Sequence, residues 1–143
     1  NEYKLLERGQ FSIVLAGADD PNGPFDQKRP AQLVREIRQA RGRDAYILML
    51  SHRNDELDLW ANMGVQTVLC GHGHGGIVRL PFVGAVFGTH LDLFPDYTAG
   101  LYQKGQTSMI VSRGLGGSRK LPLRIGNRPE IVTVILKTDS GEI

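Results

Sequence analysis

The sequence predicts an α/β fold built around parallel strands, and three observations carry that reading. Two helical segments alternate with two short apolar strands between residues 30 and 70, an order that implies a right-handed crossover between parallel neighbours. The strand Ala45-Tyr46-Ile47-Leu48-Met49-Leu50 is apolar on both faces, as strands inside parallel sheets are. Beyond Pro81 the pattern turns to β, with β-branched runs separated by glycine turns.

The elements follow in order. Ser12-Ile13-Val14-Leu15-Ala16 is a short apolar run ending at Gly17, a buried strand. Asp19-Asp20-Pro21-Asn22-Gly23-Pro24 is dense in turn formers and reads as a loop. Pro30 suits the first position of a helix, where its missing N–H costs nothing. Leu33, Val34, Ile37 and Ala40 share one face of that helix. Arg38 and Arg41 complement the dipole in its last turn, and Gly42 ends it. After the strand at residues 45–50, Asn54 is the expected cap of a second helix, with Asp55 and Glu56 in its first turn. Leu57, Trp60 and Ala61 form its buried face and Gly64 stops it. Gln66-Thr67-Val68-Leu69-Cys70 is the next strand. Leu101-Tyr102 and Met109-Ile110-Val111 flank Lys104-Gly105-Gln106 as a hairpin, and residues 130–137 read as a late strand.

Composition narrows the function classes. The 143 residues suit one domain, and 41% apolar with 22% charged residues is an ordinary globular balance. The net charge of +2 is too small, and the basic residues too scattered, to indicate nucleic acid. No apolar run approaches the roughly 20 residues of a membrane helix. A single cysteine forbids an internal disulfide. The chain opens at Asn1 rather than Met, which reads as a processed product, a trimmed chain or a fragment.

Three histidines carry the functional signal. His52 follows the strand ending at Leu50, and His72 and His74 follow the strand ending at Cys70. In parallel sheets, ligands bind outside the carboxyl ends of the strands. Adjacent strands would thus bring all three to one edge. Residues two apart in an extended segment project to the same side, and Gly71, Gly73, Gly75 and Gly76 let the backbone bend around a small object. Neutral imidazole is the commonest metal ligand, so His52, His72 and His74 are the candidate metal ligands. The bland alternative is three separate surface or core histidines.

Other features are weaker. Gly71-x-Gly73-x-x-Gly76 matches a dinucleotide fingerprint, but a helix would have to begin there, and the short segment before Pro81 argues against one. Gly114-Leu115-Gly116-Gly117-Ser118 fits an anion cradle or a plain turn. Cys70 reads as a buried thiol rather than a nucleophile, and His90 as an ordinary loop residue. Asp19 and Asp20 read equally as site carboxylates or turn residues.

Leu50-Ser51-His52-Arg53-Asn54-Asp55, then Cys70-Gly71-His72-Gly73-His74-Gly75-Gly76 and Val78-Arg79-Leu80-Pro81, resemble the calcineurin-like metallophosphoesterases. The family's Gly-His-x-His motif is matched with Gly73 where Thr is more usual. A bacterial branch also shows, in this order, Gly17-Ala18-Asp19-Asp20-Pro21, Gly100-Leu101-Tyr102, Val111-Ser112-Arg113-Gly114-Leu115-Gly116, Leu121-Pro122-Leu123-Arg124 and Pro129-Glu130-Ile131.

The resemblance implies a two-sheet mixed β sandwich flanked by helices. It implies hydrolysis of phosphomonoesters or phosphodiesters by a water activated between two divalent ions, drawn from Mn, Fe, Zn or Ni. His52 and His72 would bind one ion and His74 the other. No catalytic side chain is assigned, and the substrate-binding residues are unknown. The family's Asp-x-His, Gly-Asp-x-x-Asp and Gly-Asn-His-Asp/Glu motifs do not occur in this sequence. Residues 1–143 therefore read as the C-terminal portion of a single domain, inactive alone, with the N-terminal half as its partner. The expected setting is a soluble domain in the bacterial cytoplasm or envelope. The alternatives are a mononuclear three-His enzyme and a non-catalytic interaction domain on a phosphoesterase scaffold.

Overall fold

Four neighbouring strands run parallel and carry their carboxyl ends to one edge of a mixed sheet. A computed structural model describes residues 1–24, 27–117, 122–138, 141 and 142. Ser118 of the glycine loop and Leu121 of the Leu-Pro-Leu-Arg run lie outside the described residues.

Strand β1 (Glu2–Arg8) turns through Gly9 and Gln10 into β2 (Phe11–Gly17), and the two pair antiparallel. Helix α1 (Pro30–Arg41) begins on its proline and ends at Gly42, whose φ of 91° suits only glycine comfortably. Strand β3 (Ile47–Leu50) follows and pairs parallel with β2. Helix α2 (Leu57–Asn62) leads to β4 (Thr67–Cys70), parallel to β3. A hairpin of β5 (Val78–Leu80) and β6 (Gly84–Phe87) stands apart from the main sheet. Strands β7 (Gly100–Lys104) and β8 (Thr107–Val111) form a second hairpin around Gly105 and Gln106, and β8 lies parallel to β4. A short ribbon of β9 (Lys137–Thr138) and β10 (Gly141–Glu142) ends the described chain.

The sheet order is β1-β2-β3-β4-β8-β7, so the four parallel strands are central and the two antiparallel ones form the edges. The result is a mixed α/β arrangement with a six-stranded sheet and two helices among the described residues. No helix among them is long and apolar enough to cross a membrane.

The core shows why these elements hold. Leu33, Val34 and Ile37 of α1 and Leu57 and Trp60 of α2 are buried with Val14, Ile47, Met49, Val68 and Met109 of the sheet. Alternate strand residues face that cluster, as the period of two requires. Arg38 ties the end of α1 to its surroundings by donating to the carbonyls of Arg43, Ala45 and Gly64 at 2.5–2.6 Å.

Several expectations need correction. Ala40 is exposed, so the buried stripe of α1 ends at Ile37. Asn54 does not cap α2; that place is taken by Glu56, and the Asn54 side chain donates to the Tyr97 carbonyl at 2.8 Å. The strand expected over residues 130–137 is absent from 130 to 136, and only Lys137 joins a ladder. Its β-branched composition favours a strand only where a neighbouring strand offers hydrogen bonds, and no described strand pairs with it. Strand β1 is an addition to the expected elements: Tyr3 and Leu5 alternate with exposed neighbours and pack against the core, and the turn at Gly9 and Gln10 folds the strand back onto β2. The segment after Gly76 is strand β5, so no helix follows the glycines and the dinucleotide reading fails.

Candidate functional site

The carboxyl ends of β2, β3, β4 and β8 lie side by side, and the segments leaving them build the site. From β2 comes Asp20, from β3 His52 and Arg53, from β4 the loop 71–76, and from β8 Ser112 and Arg113. Backbone bonds stitch these exits together. Ser51 N donates to Leu69 O at 3.0 Å, Gly71 N to His52 O at 3.4 Å and Ser112 N to Cys70 O at 2.9 Å.

His52 and His72 are brought into contact, with ring centroids 4.3 Å apart and planes tilted by 60°. Asp20 joins them: its Oδ2 lies 3.3 Å from His52 Nε2, and its Oδ1 accepts from Arg53 Nε and Nη2 at 3.2 and 3.1 Å. Asp20 therefore faces the site, whereas Asp19 pairs with the terminal amine of Asn1. The Asn22 amide and the Arg53 guanidinium hold the Asp20 carboxyl below its ordinary range.

His74 is placed differently. Both His72 and His74 have left-handed backbone, at φ 66° and 49°, so the segment is coiled and the two-residue spacing does not set both rings on one face. Burial lowers the pKa of each histidine. For His72 the nearby charges of His52 and His90 add to this, and for His74 the charge of Arg124 does. The rings are thus biased toward neutral imidazole, the form that offers a lone pair.

His90 was not expected here. Its ring stands 5.6 Å from that of His72. The two line a cavity of about 240 Å³ with Arg53, Asn54 and Thr89. No local signal marks His90, because its approach depends on how residues 88–92 turn back, with Gly88 N donating to Asp92 O.

The carbonyls of the glycine loop after β8 are taken by an arginine. Arg124 donates to the carbonyls of Arg113, Gly114 and Gly116. Cys70 is a thiol pushed up to about 12 by burial, with the charges of Glu56 and Asp55 adding, so it offers no thiolate at neutral pH.

The donors fit a metal only in part. Two imidazoles and one carboxylate gather at the edge, but the carboxylate is committed to Arg53. Among the described residues, no group of three or more His, Cys, Asp and Glu side chains is arranged to hold a metal ion.

No protein-family model matches the sequence, and no solved structure matches it. Curated relatives do. The chain is 39% identical over 93 residues to the uncharacterized metallophosphoesterase YkuE of Bacillus subtilis, covering 65% of this chain and 32% of the relative. It is 35% identical over 89 residues to the phosphodiesterase YaeI of Escherichia coli, covering 62% and 32%. It is 31% identical over 126 residues to an uncharacterized metallophosphoesterase of Aquifex aeolicus, covering 87% and 46%. The matched part of the chain thus spans 32% to 46% of the length of these relatives. These likenesses support a metallophosphoesterase family for the chain.

Proposed function

We propose that this chain forms part of a metal-dependent phosphohydrolase acting on phosphate esters. The observation that carries the reading is the meeting of His52, His72 and Asp20 at the carboxyl ends of three successive parallel strands. Relatives named metallophosphoesterase support it, and the one named phosphodiesterase extends it to diesters.

In this reading His52, His72 and His74 supply nitrogen ligands to a pair of divalent ions. Such ions would activate water and offset charge on the phosphoryl oxygens. Within the chain, Arg53 holds Asp20 and Asp20 faces His52, which fixes the imidazole's direction. Three neutral imidazoles bring no formal charge to offset two close cations. Asp20 brings one, already shared with Arg53. In this reading the further carboxylates that two close cations require would be supplied by the N-terminal half of the same domain.

The test is an assay of the 143-residue chain with a chromogenic phosphodiester and excess Mn²⁺, alongside a longer parent carrying the upstream half. Turnover is expected only in the longer protein and is expected to vanish in His72→Ala. Equal turnover in both would overturn the half-site reading in favour of a mononuclear three-His centre.

A further inference from the structure

The loop 71–76 is held in an unfavourable shape. His72, His74, Gly75 and Gly76 all have positive φ, at 66°, 49°, 76° and 84°. Glycine adopts that region freely, but a side chain at Cβ crowds the following carbonyl. Two histidines in this conformation persist only where the surroundings over-determine it.

The bonds that do so come from distant parts of the chain. Arg79 Nη1 donates to Gly75 O at 2.9 Å. Asn127 Nδ2 donates to His74 O at 2.8 Å and to Gly76 O at 2.5 Å. Three successive carbonyls are thus each taken by a side chain. Asn127 is brought there by the segment before it: Arg79 N donates to Ile125 O and Ile125 N to Ile77 O, at 2.9 and 2.8 Å. Only 3% of Asn127 is exposed.

Two details separate Asn127 from an ordinary core polar residue. Both amide hydrogens go to one loop, while the buried Oδ1 has no partner among the described residues. An apolar side chain of similar size would avoid that orphaned oxygen. The fit is also close, because a Cβ built on Gly75 would stand 3.0 Å from Asn127 Oδ1 and 2.5 Å from Arg113 Cγ.

We infer that Asn127 is a positioning residue, which sets the direction of His74 by clamping the carbonyls on either side of Gly75. Its importance for catalysis rests on the phosphohydrolase reading; its effect on loop geometry does not. The His74 ring hydrogen-bonds to the backbone of Gly116 and lies near Arg124, and rotation of the peptides that Asn127 holds would swing it away from both.

The experiment compares Asn127→Leu and Asn127→Asp with Thr107→Val by histidine side-chain NMR on the metal-free chain. Thr107 is the matched control, since its buried hydroxyl donates to Val65 O at 2.6 Å far along β8 from the site. Both Asn127 variants are expected to shift or broaden the His72 and His74 ring resonances, and Thr107→Val to leave them in place. Unmoved ring resonances in a folded Asn127 variant would overturn the inference. If neither variant folds, the unmodified chain decides. Its Asn127 side-chain amide protons should be protected from exchange and show cross-peaks to Gly75 and Gly76; free exchange would overturn the proposal. In the longer parent, Asn127→Asp should lower kcat about 10- to 100-fold, as loss of supporting contacts does, with KM nearly unchanged. Shifted resonances without phosphoesterase activity in the unmodified parent would sink the functional reading and leave the positioning intact.

Discussion

Glu56 and Glu130 flank the site and have opposite responses to folding. Burial raises the Glu56 carboxyl despite the hydrogen bond from Ser51. Arg113 lowers that of Glu130 through bonds from Nε and the backbone amide at 2.7 and 2.9 Å. A carboxyl raised on folding favours the native state at low pH, and that benefit is lost as pH rises through its folded pKa. A lowered one favours the native state at neutral pH and loses that benefit as pH falls through its folded pKa. Glu56→Gln should therefore raise the melting temperature at pH 7, and Glu130→Gln should lower it. Both differences should shrink toward pH 3, as falling pH moves each carboxyl toward its protonated form. Thermal scans at the two pH values check this, and equal signs for the two variants would refute it. Cys70 gives a second residue-scale expectation. With its thiol near 12 and its side chain buried, iodoacetamide at pH 8 should modify it only after unfolding in urea, as mass spectrometry would read. Legibility at this scale followed chain proximity. That His52 and His72 meet was readable, because each lies two residues beyond the end of a parallel strand. Asp20 remained even between two readings, because its ion pair with Arg53 spans 33 residues. His90 and Asn127 were not readable, since loop folding alone brings them near.

Among the elements, those with local punctuation were read best. Helix α1 has Pro30 at its start, Gly42 at its end and a buried stripe of Leu33, Val34 and Ile37. These signals act within a few residues, so the sequence reveals them directly. Helix α2 is only six residues long, too short to be stable by propensity. Leu57 and Trp60, both buried, hold it against the sheet. Leu33 is fully buried, and Leu33→Ala should cost about 2–5 kcal/mol through lost burial and a cavity. A urea titration would show this as a lower midpoint with an unchanged slope, and a change below about 1 kcal/mol would contradict the packing described here. The expected strand at residues 130–137 failed for a complementary reason. Strand propensity describes a fit to a neighbour, and residues 131–136 have no described neighbour to fit.

At the scale of the whole molecule, the parallel order β2-β3-β4-β8 gathers the site at one sheet edge. That edge was legible, because crossover handedness and strand-end binding constrain how helix–strand–helix–strand segments fold. Apolar residues outside the sheet stay exposed, and which ones do so depends on how the loops fold. Ile131 is 82% and Ile135 70% exposed, in a stretch whose backbone joins no described ladder. Leu91, Leu93 and Phe94 are also largely exposed beside the β5–β6 hairpin. A β-branched segment that joins no described ladder offers a template for strand addition, and natural proteins usually blunt such edges with charge. Lys137 is the sole charge between Ile131 and Thr138. Self-association of the chain should therefore rise with concentration, and the double variant Ile131→Lys, Ile135→Lys should suppress it. Replacing the two side chains removes apolar area and adds repulsion without touching the buried cluster of Val14, Leu33, Trp60 and Met109. Sedimentation velocity from about 5 to 100 μM should show the unmodified chain moving to larger species and the variant remaining monomeric, with matching melting temperatures. A monomeric unmodified chain across that range would show that these residues do not mediate association. Equal association in both proteins would shift attention to Leu91, Leu93 and Phe94.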